Sequence, residues 1–331
     1  MKKIKDIEIM VQRMLDGDIG SAARLITWVE NETEEHHDVM RRVYPHTGNA
    51  MILGITGSGG AGKSTLTDHL ISKFRALGKT VGVVVVDPSS PFSGGAFLGD
   101  RIRLQKHFLD DGVYIRSMAS RGYLGGLSKA TYDVIRIIES MGMDVVIIET
   151  LGAGQDEIDV IHIAHTCLLV HTPNMGDDIQ AMKAGIMEIA DINVLNKADL
   201  DGAENCRRHL QNALSVAHME EGKWLPKLVS TVSVASKPGD IKGIDELITA
   251  ITEHQDYLKE SKAIDRVKYE RVEQELGLVF KDELQKVIFK GLRGTGKKRK
   301  YINSIIEGIN DPYSVVEEVL NTYLKTKSKK K

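Results

Sequence analysis

A chain of 331 residues that is 42% hydrophobic and 27% charged has material for one large core with additional helices, and its formal net charge of −2 gives no electrostatic bias toward nucleic acid or anionic lipid. Its longest apolar runs, residues 81–86 and 145–148, are strand-sized and fall well short of the roughly 20 residues that cross a bilayer. The basic opening soon meets Asp6, Glu8, Asp16 and Asp18 and lacks a secretion signal's apolar core, while Cys167 and Cys206 offer neither a disulfide framework nor a metal-type spacing, so a reducing, cytoplasmic location is expected.

Residues 1–48 read as a helical leader, with Ile9, Met10 and Met14, then Ala22, Ala23, Leu25, Ile26 and Val29, placing apolar groups on one helical face. Between these stretches, Gly17-Asp18-Ile19-Gly20-Ser21 supplies turn residues and a helix cap. From Met51 the pattern changes to short Val/Ile/Leu runs separated by helical segments, which is the signature of a parallel sheet buried on both faces. Strands are predicted at 51–55, 81–86, 145–149, 166–171, 192–195 and 228–234, with 113–117 a further candidate, giving an α/β doubly wound, mostly parallel sheet.

Beyond residue 255 strand signals fade. A charged helical arm is expected over 257–290, where Ile264, Val267, Val272, Leu276, Val279, Phe280, Leu284, Val287 and Ile288 recur at helical intervals. A glycine-rich break at 291–296 precedes another helix opened by Asp311-Pro312. The basic runs at 297–300 and 325–331 read as a solvated loop and a frayed tail. The organisation is therefore a leader over 1–48, a central domain over 49–255 and a helical arm with a basic tail over 256–331.

Gly57-Ser58-Gly59-Gly60-Ala61-Gly62-Lys63-Ser64 fits GxxxxGK[ST], and it lies where that motif must lie, after a predicted strand and before a helix from Thr65. The glycines let backbone N–H groups turn inward around phosphate oxygens at the positive end of the helix; Lys63 adds a full charge against the β- and γ-phosphates, and the Ser64 hydroxyl is a candidate Mg²⁺ ligand. A second Gly-Thr-Gly-Lys at 294–297 has no strand before it and no Ser or Thr after it, and reads as a turn. Asn196-Lys197-Ala198-Asp199 follows the 192–195 strand, at the carboxyl end where open α/β sheets bind ligands. Asp199 can accept from both the N1–H and the 2-amino group of guanine, a pair that adenine does not offer, so GTP is expected over ATP. Asn196 is expected to fix the loop and base edge, Lys197 to lie along the base, and the loop beginning Ser233-Val234-Ala235 to close over it.

A Mg²⁺ site needs acids near the γ-phosphate, and the candidates are Asp87, Asp100 and Glu149. Asp87 also suits turn initiation before Pro88, and Asp100 is equally placed to cap a helix. Glu149 ends a predicted strand and is followed three residues on by Gly152, so the carboxylate can hold the metal shell while that glycine bonds the γ-phosphate; loss of the phosphate would then release the loop.

Taken together, the chain resembles the MeaB type of GTPase, the ArgK-like branch of P-loop GTPases, over about residues 10–255. The resemblance rests on Gly17-Asp18 with Ala22-Ala23-Arg24-Leu25-Ile26-Thr27-Trp28-Val29-Glu30, on Val86-Asp87-Pro88-Ser89-Ser90, on Gly94-Gly95-Ala96-Phe97-Leu98-Gly99-Asp100-Arg101, on Glu149-Thr150-Leu151-Gly152-Ala153-Gly154-Gln155-Asp156-Glu157, and on Gly176-Asp177-Asp178-Ile179-Gln180-Ala181-Met182-Lys183. It implies that Asp87, Asp100 and Glu149 serve Mg²⁺ and catalysis, that Arg103 joins a switch, and that Lys183 lies in an additional switch coupling nucleotide state to a partner. It further implies a homodimer formed through C-terminal helices, and a partner that is an adenosylcobalamin-dependent acyl-CoA mutase, commonly methylmalonyl-CoA mutase, whose cofactor loading the GTPase gates and protects. The chain departs from the family pattern at Gly59-Gly60, where a proline-containing loop is usual, and in a longer loop over 235–243. No DxHxxG cobalamin-binding pattern occurs, so the cobalamin is expected on a separate chain.

Two other readings share parts of these motifs. A metallochaperone GTPase for a nickel enzyme needs soft or imidazole ligands; the histidines here, among them His36, His37, His162, His165 and His171, are scattered and read as structural. A kinase passing the γ-phosphate to a protein or small molecule is the other, although no HRDxxxxN loop occurs.

Overall fold

The computed structural model describes residues 2–87, 104–119, 129–150, 160, 162–173, 190–216, 223–234, 239–292 and 296–328, with side chains described for these except at 2–4, 87, 216, 289–292 and 322–328. Three helices open the chain: α1 (Lys2–Leu15), α2 (Ile19–Glu30) and α3 (His36–Val43). Ile7, Val11 and Met14 form the buried stripe of α1, and Ala22, Leu25, Ile26 and Val29 that of α2, at the spacings that put apolar groups on one helical face. Asp18 starts α2 by accepting from the Gly20 amide at 3.0 Å and the Ser21 hydroxyl at 2.7 Å.

The sheet follows, built from β1 (Met51–Thr56), β2 (Val81–Asp87), β3 (Val113–Ala119), β4 (Val145–Thr150), β5 (Thr166–His171), β6 (Ile192–Asn196) and β7 (Lys227–Thr231). Among the described residues these seven strands form one sheet in the order β3-β2-β4-β1-β5-β6-β7, and every pairing is parallel. The chain runs outward from β1 to β2 and β3, returns to place β4 between β2 and β1, and then crosses to the other side at β5, so the strand order reverses beside β1. That reversal opens a crevice at the strands' carboxyl ends.

Both faces of the sheet are covered. Leu53, Ile55, Val83, Val85, Ile147, Leu168, Val170 and Val194 share a core with Leu66, Leu70, Ile71 and Phe74 of α4 (Lys63–Ala76). The same core takes Leu247, Ala250 and Ile251 of α7 (Ile244–Glu260). Intervening residues such as Ile52, Val84, Val146 and Ile148 are also fully buried, which is why the strands read as continuous apolar runs. On that second face lies α5 (Lys129–Ser140), seated so close that a Cβ on Gly82 of β2 would come within 2.3 Å of Ile138. A further helix, α6 (Ala203–Val216), buries Cys206 and Leu210 against Leu169 and Leu195.

Almost every residue of α5 is buried, including Asp133, Arg136 and Glu139, because the leader helices cover its outer side. The polar groups trapped there are paired: His36 Nε2 with Asp133 Oδ2 at 2.7 Å, Arg136 with Glu139 at 3.1 Å, Arg271 with Glu139 at 3.4 Å, and Glu30 with Arg116. The leader is thus a third layer of the domain.

Contacts divide the chain into one compact unit over 1–271 and a second over 272–331. The helix α8 (Ala263–Leu292) runs through that division, and the second unit continues with α9 (Lys297–Ile306) and α10 (Pro312–Ser328). Within it, Tyr301 donates to Glu318 at 2.9 Å, joining α9 to α10, and Asp311 caps α10 through the amides of Tyr313 and Ser314 at 2.8 and 3.0 Å. No helix among the described residues is long and apolar enough to cross a membrane.

Some local expectations are corrected. The last strand ends at Thr231 rather than 234, because Val232 leaves the sheet for an antiparallel bridge with Lys242. The arm expected over 257–290 is two helices, broken where Lys262 takes a left-handed φ of 58°. Residues 297–300 are exposed but helical, and the basic run from 325 begins inside α10. Of the histidines near β5, His171 meets Asn193 Oδ1 at 2.9 Å, while His165 Nδ1 accepts from the Ile52 amide at 3.2 Å. Burial, helped by Arg271, Lys268 and Arg136, pushes the His165 imidazole down to about 3, so it is neutral.

If the leader is integral, Leu25→Ala, which empties a fully buried site, lowers unfolding free energy by about 3 kcal/mol in a denaturant titration; a loss under about 0.5 kcal/mol marks the leader as peripheral.

Candidate functional site

The segment from Gly57 to Gly62 joins β1 to α4 through backbone that a side chain would block. Gly57 has φ 137°, and a Cβ there would lie 2.3 Å from the Val170 carbonyl oxygen of β5. At Gly62 φ is 89°, and a Cβ would lie 2.4 Å from Asn196 Nδ2. The loop therefore packs down on the neighbouring strands, and α4 begins immediately, its ladder opened by Leu66 N–H to Gly62 O at 2.9 Å. The first amides of such a helix have no intrahelical acceptor and carry the positive end of its dipole, which suits a phosphate. Lys63 is nearly buried and folds back over the loop, its ammonium donating to Gly57 O at 2.6 Å and Ser58 O at 2.9 Å.

Next to this loop stands the carboxyl end of β4, where Glu149 is in register with Ile55 of β1 and Val85 of β2. Its carboxylate is fully buried; Ser64 Oγ donates to Oε1 at 2.5 Å and Thr67 Oγ1 to Oε2 at 2.8 Å. An ionised carboxylate out of water costs several kcal/mol unless polar groups surround it, and these two hydroxyls offset part of that. The Ser64 hydroxyl and Glu149 carboxylate are hard oxygen donors side by side, the donor type that Mg²⁺ takes, so these residues fit the ion. Asp87 ends β2 two residues beyond the register partner of Glu149, but its side chain lies outside the described residues, as do Asp100, Arg103 and Lys183.

On the other side of β1, β6 delivers Asn196. Its amide donates to Ala61 O at 2.9 Å and its Oδ1 accepts from Thr231 Oγ1 at 3.1 Å, so one buried side chain ties β7, β6 and the glycine loop together. Lys197, in a left-handed conformation with φ 56°, donates to Gly60 O at 2.8 Å. A non-glycine residue in that region carries strain of about 1 kcal/mol or more and is found where surrounding contacts impose it. Asp199 follows on the exposed side of the same turn. The Ser233 hydroxyl is buried with no hydrogen-bond partner, and its carbonyl accepts from His69 Nε2 at 2.8 Å; Val234 is exposed and Ala235 lies outside the described residues.

The structure therefore gathers Lys63, Ser64 and Glu149 at one end of the crevice and Asn196, Lys197 and Ser233 around the loop's other flank, with Gly59, Gly60 and Thr65 partly or fully open to solvent. Thr67, His69 and Thr231 are additions that motif reading does not supply. Thr67 had a signal, being a polar residue one turn after Ser64 on the same face of the helix. His69 and Thr231 had none, since their partners are distant in sequence.

The chain matches the family model described as methylmalonyl-CoA mutase-associated GTPase MeaB over residues 22–292. It is 44% identical to a Pyrococcus abyssi protein bearing a provisional GTPase name, over 95% of this chain and 96% of that one. It is 34% identical to the Escherichia coli GTPase ArgK, over 79% and 80% of the two chains. A crystal structure of an LAO/AO transport system kinase superposes with a TM-score of 0.69 at 24% identity, covering 96% of this chain and 97% of the other, and so shares the fold.

Gly62→Ala places a Cβ against Asn196 in a backbone conformation that alanine resists. Titration with a fluorescent guanosine diphosphate is expected to show at least about tenfold weaker binding, on the order of 1.4 kcal/mol, and unchanged affinity would show that the loop tolerates the displacement.

Proposed function

The chain belongs to the MeaB family of GTPases, and from that premise we propose that it hydrolyses GTP in the crevice beside β1 as a chaperone of a separate adenosylcobalamin-dependent acyl-CoA mutase, governing cofactor loading and protecting or reactivating that enzyme. The single observation that carries the nucleotide chemistry is the convergence of Lys63, Ser64 and Glu149 on one end of a glycine loop whose other flank is held by Asn196 and Lys197.

In this reading the loop amides and Lys63 hold the β- and γ-phosphates, with Lys63 exchanging its carbonyl partners for phosphate oxygens. Ser64 and Glu149 hold Mg²⁺, with Asp87 and Asp100 as further acids; when bound, the ion neutralises charge on the phosphate oxygens. Asp199 accepts from the guanine N1–H and 2-amino group, Asn196 fixes the turn, and the loop beginning Ser233-Val234-Ala235 covers the base. Water attacks the γ-phosphorus in line as the bond to the β,γ-bridging oxygen breaks, so inorganic phosphate and GDP leave. Arg103 and Lys183 lie in segments that complete the site when the mutase docks, so unassisted turnover is slow.

A homodimer through the C-terminal unit is part of the proposal. Val272, Leu276, Phe280, Leu284 and Val287 recur on one face of α8 and remain exposed, Leu276 by 65% and Phe280 by 68%. A stripe of that kind is what a second copy would cover. Two buried free thiols, Cys167 and Cys206, fit a reducing cytoplasm.

With γ-labelled GTP, the label is expected to appear as free phosphate, faster when an acyl-CoA mutase is added; label on protein or metabolite would instead mean group transfer. Lys63→Ala is expected to reduce phosphate release by at least about 100-fold, and a variant with wild-type turnover would remove the lysine from the phosphate site. Asp199→Asn is expected to shift preference toward xanthosine nucleotides; a variant that rejects them as strongly as wild type contradicts the base assignment.

A further inference from the structure

Three consecutive residues of α4, within a turn and a half of Ser64, each bind a different segment. Thr67 Oγ1 donates to Glu149 Oε2 at 2.8 Å, at the end of β4. Asp68 takes His107 Nε2 on Oδ1 at 2.9 Å and Lys106 Nζ on Oδ2 at 2.5 Å, anchoring the chain that leads into β3. His69 Nε2 lies 2.8 Å from the Ser233 carbonyl. A carbonyl only accepts, so the ring nitrogen carries the proton there. Successive helical positions point about 100° apart, which is why three neighbours fan out to three elements instead of competing for one.

Two of the segments they reach, at Glu149 and at Ser233, flank the glycine loop, and the third leads into the edge strand β3. Glu149 also accepts from Ser64 at 2.5 Å. Residues 104–107 follow directly on the stretch that contains Asp100 and Arg103. Ser233 brings a buried, unpartnered hydroxyl against the glycine loop, 3.7 Å from where a Cβ on Gly62 would stand. Hydrogen bonds of 2.5 to 2.9 Å do not survive a shift of about 1 Å, so the first two turns of α4 cannot move without carrying or releasing all three segments.

We propose that Thr67, Asp68 and His69 form a positioning cluster that couples the phosphate end of the site to its base end, an inference that rests on the guanosine-nucleotide reading above. Phosphate seated on the amides of Lys63, Ser64 and Thr65 fixes the start of α4. Thr67 passes that constraint to the Mg²⁺-binding carboxylate, Asp68 to the segment behind Asp100, and His69 to the loop over the base. The three act through other groups and touch neither the nucleotide nor the reacting atoms. Arg75 independently holds Asp110 through two bonds of 2.8 and 2.9 Å, so cutting the Asp68 contact leaves the 104–112 segment anchored at its far end.

The test uses the full chain and separates four readouts: affinity for GTP against xanthosine triphosphate, the Mg²⁺ concentration giving half-maximal hydrolysis, kcat, and the melting temperature. His69→Ala is expected to weaken guanosine-nucleotide binding about tenfold and narrow the preference over xanthosine triphosphate with kcat within about twofold, and His69→Gln, which keeps an N–H donor, to restore most of it. Thr67→Val is expected to raise the half-maximal Mg²⁺ about tenfold, with Thr67→Ser restoring it. Asp68→Asn is expected to lower kcat while base preference and Mg²⁺ requirement hold. The cluster is overturned if the readouts fall together in proportion to melting temperature, or if none moves, while wild type binds GTP normally. A wild-type chain that ignores guanosine nucleotides overturns the underlying reading and the cluster with it.

Discussion

The crevice beside β1 depends on two places where no side chain fits. At Gly57 the loop lies against the backbone of β5, and at Gly62 it lies against the Asn196 side chain of β6; both take backbone angles that residues with a Cβ resist. These close approaches seat the loop on the neighbouring strands, and α4 begins directly after it. The same contacts bring Asn196 and Lys197 onto the carbonyls of Ala61 and Gly60, so the glycine loop and the Asn-Lys-x-Asp turn are one hydrogen-bonded assembly.

Sheet order explains why Glu149 lies where it does. β1 sits between β4 and β5, with β2 beyond β4, so the carboxyl ends of β2 and β4 line one side of the loop and those of β5 and β6 the other. Glu149 is buried at the end of β4 between two hydroxyls of α4, a costly position for a carboxylate that stability alone does not call for. In the proposed function that carboxylate and the Ser64 hydroxyl are the oxygen donors that would hold Mg²⁺. The leader contributes by weight rather than chemistry: it covers α5, which lies directly on the sheet, and the buried pairs His36–Asp133 and Glu30–Arg116 lock that layer in place.

The central strands were legible in the sequence because a parallel sheet covered on both faces leaves no polar alternation, and 81–86, 145–149 and 166–171 are apolar almost throughout. The edge strand β3 was fainter, since Arg116 and Ser117 interrupt it and its burial is partial. The glycine loop and the Asn-Lys-x-Asp turn were legible because backbone chemistry there admits few residue types. What escaped was tertiary pairing. Nothing in the spacing of Thr67, His69 and Thr231 announces partners that lie 82, 164 and 35 residues away, and the total burial of α5 follows from a leader that packs over it. The end of β7 was overextended because Val232 is apolar and strand-like in composition yet bridges to Lys242 outside the sheet.

The claim on which the rest stands is that one pocket holds a guanosine nucleotide by both of its ends. Isothermal titration calorimetry of the purified chain with GDP, GTP and ATP, in the presence of magnesium, tests it most directly. Saturable heats with one site per chain for the two guanosine nucleotides, and none for ATP at the same concentrations, are predicted. Flat titrations with GDP and GTP, or equal affinity for ATP, would contradict it.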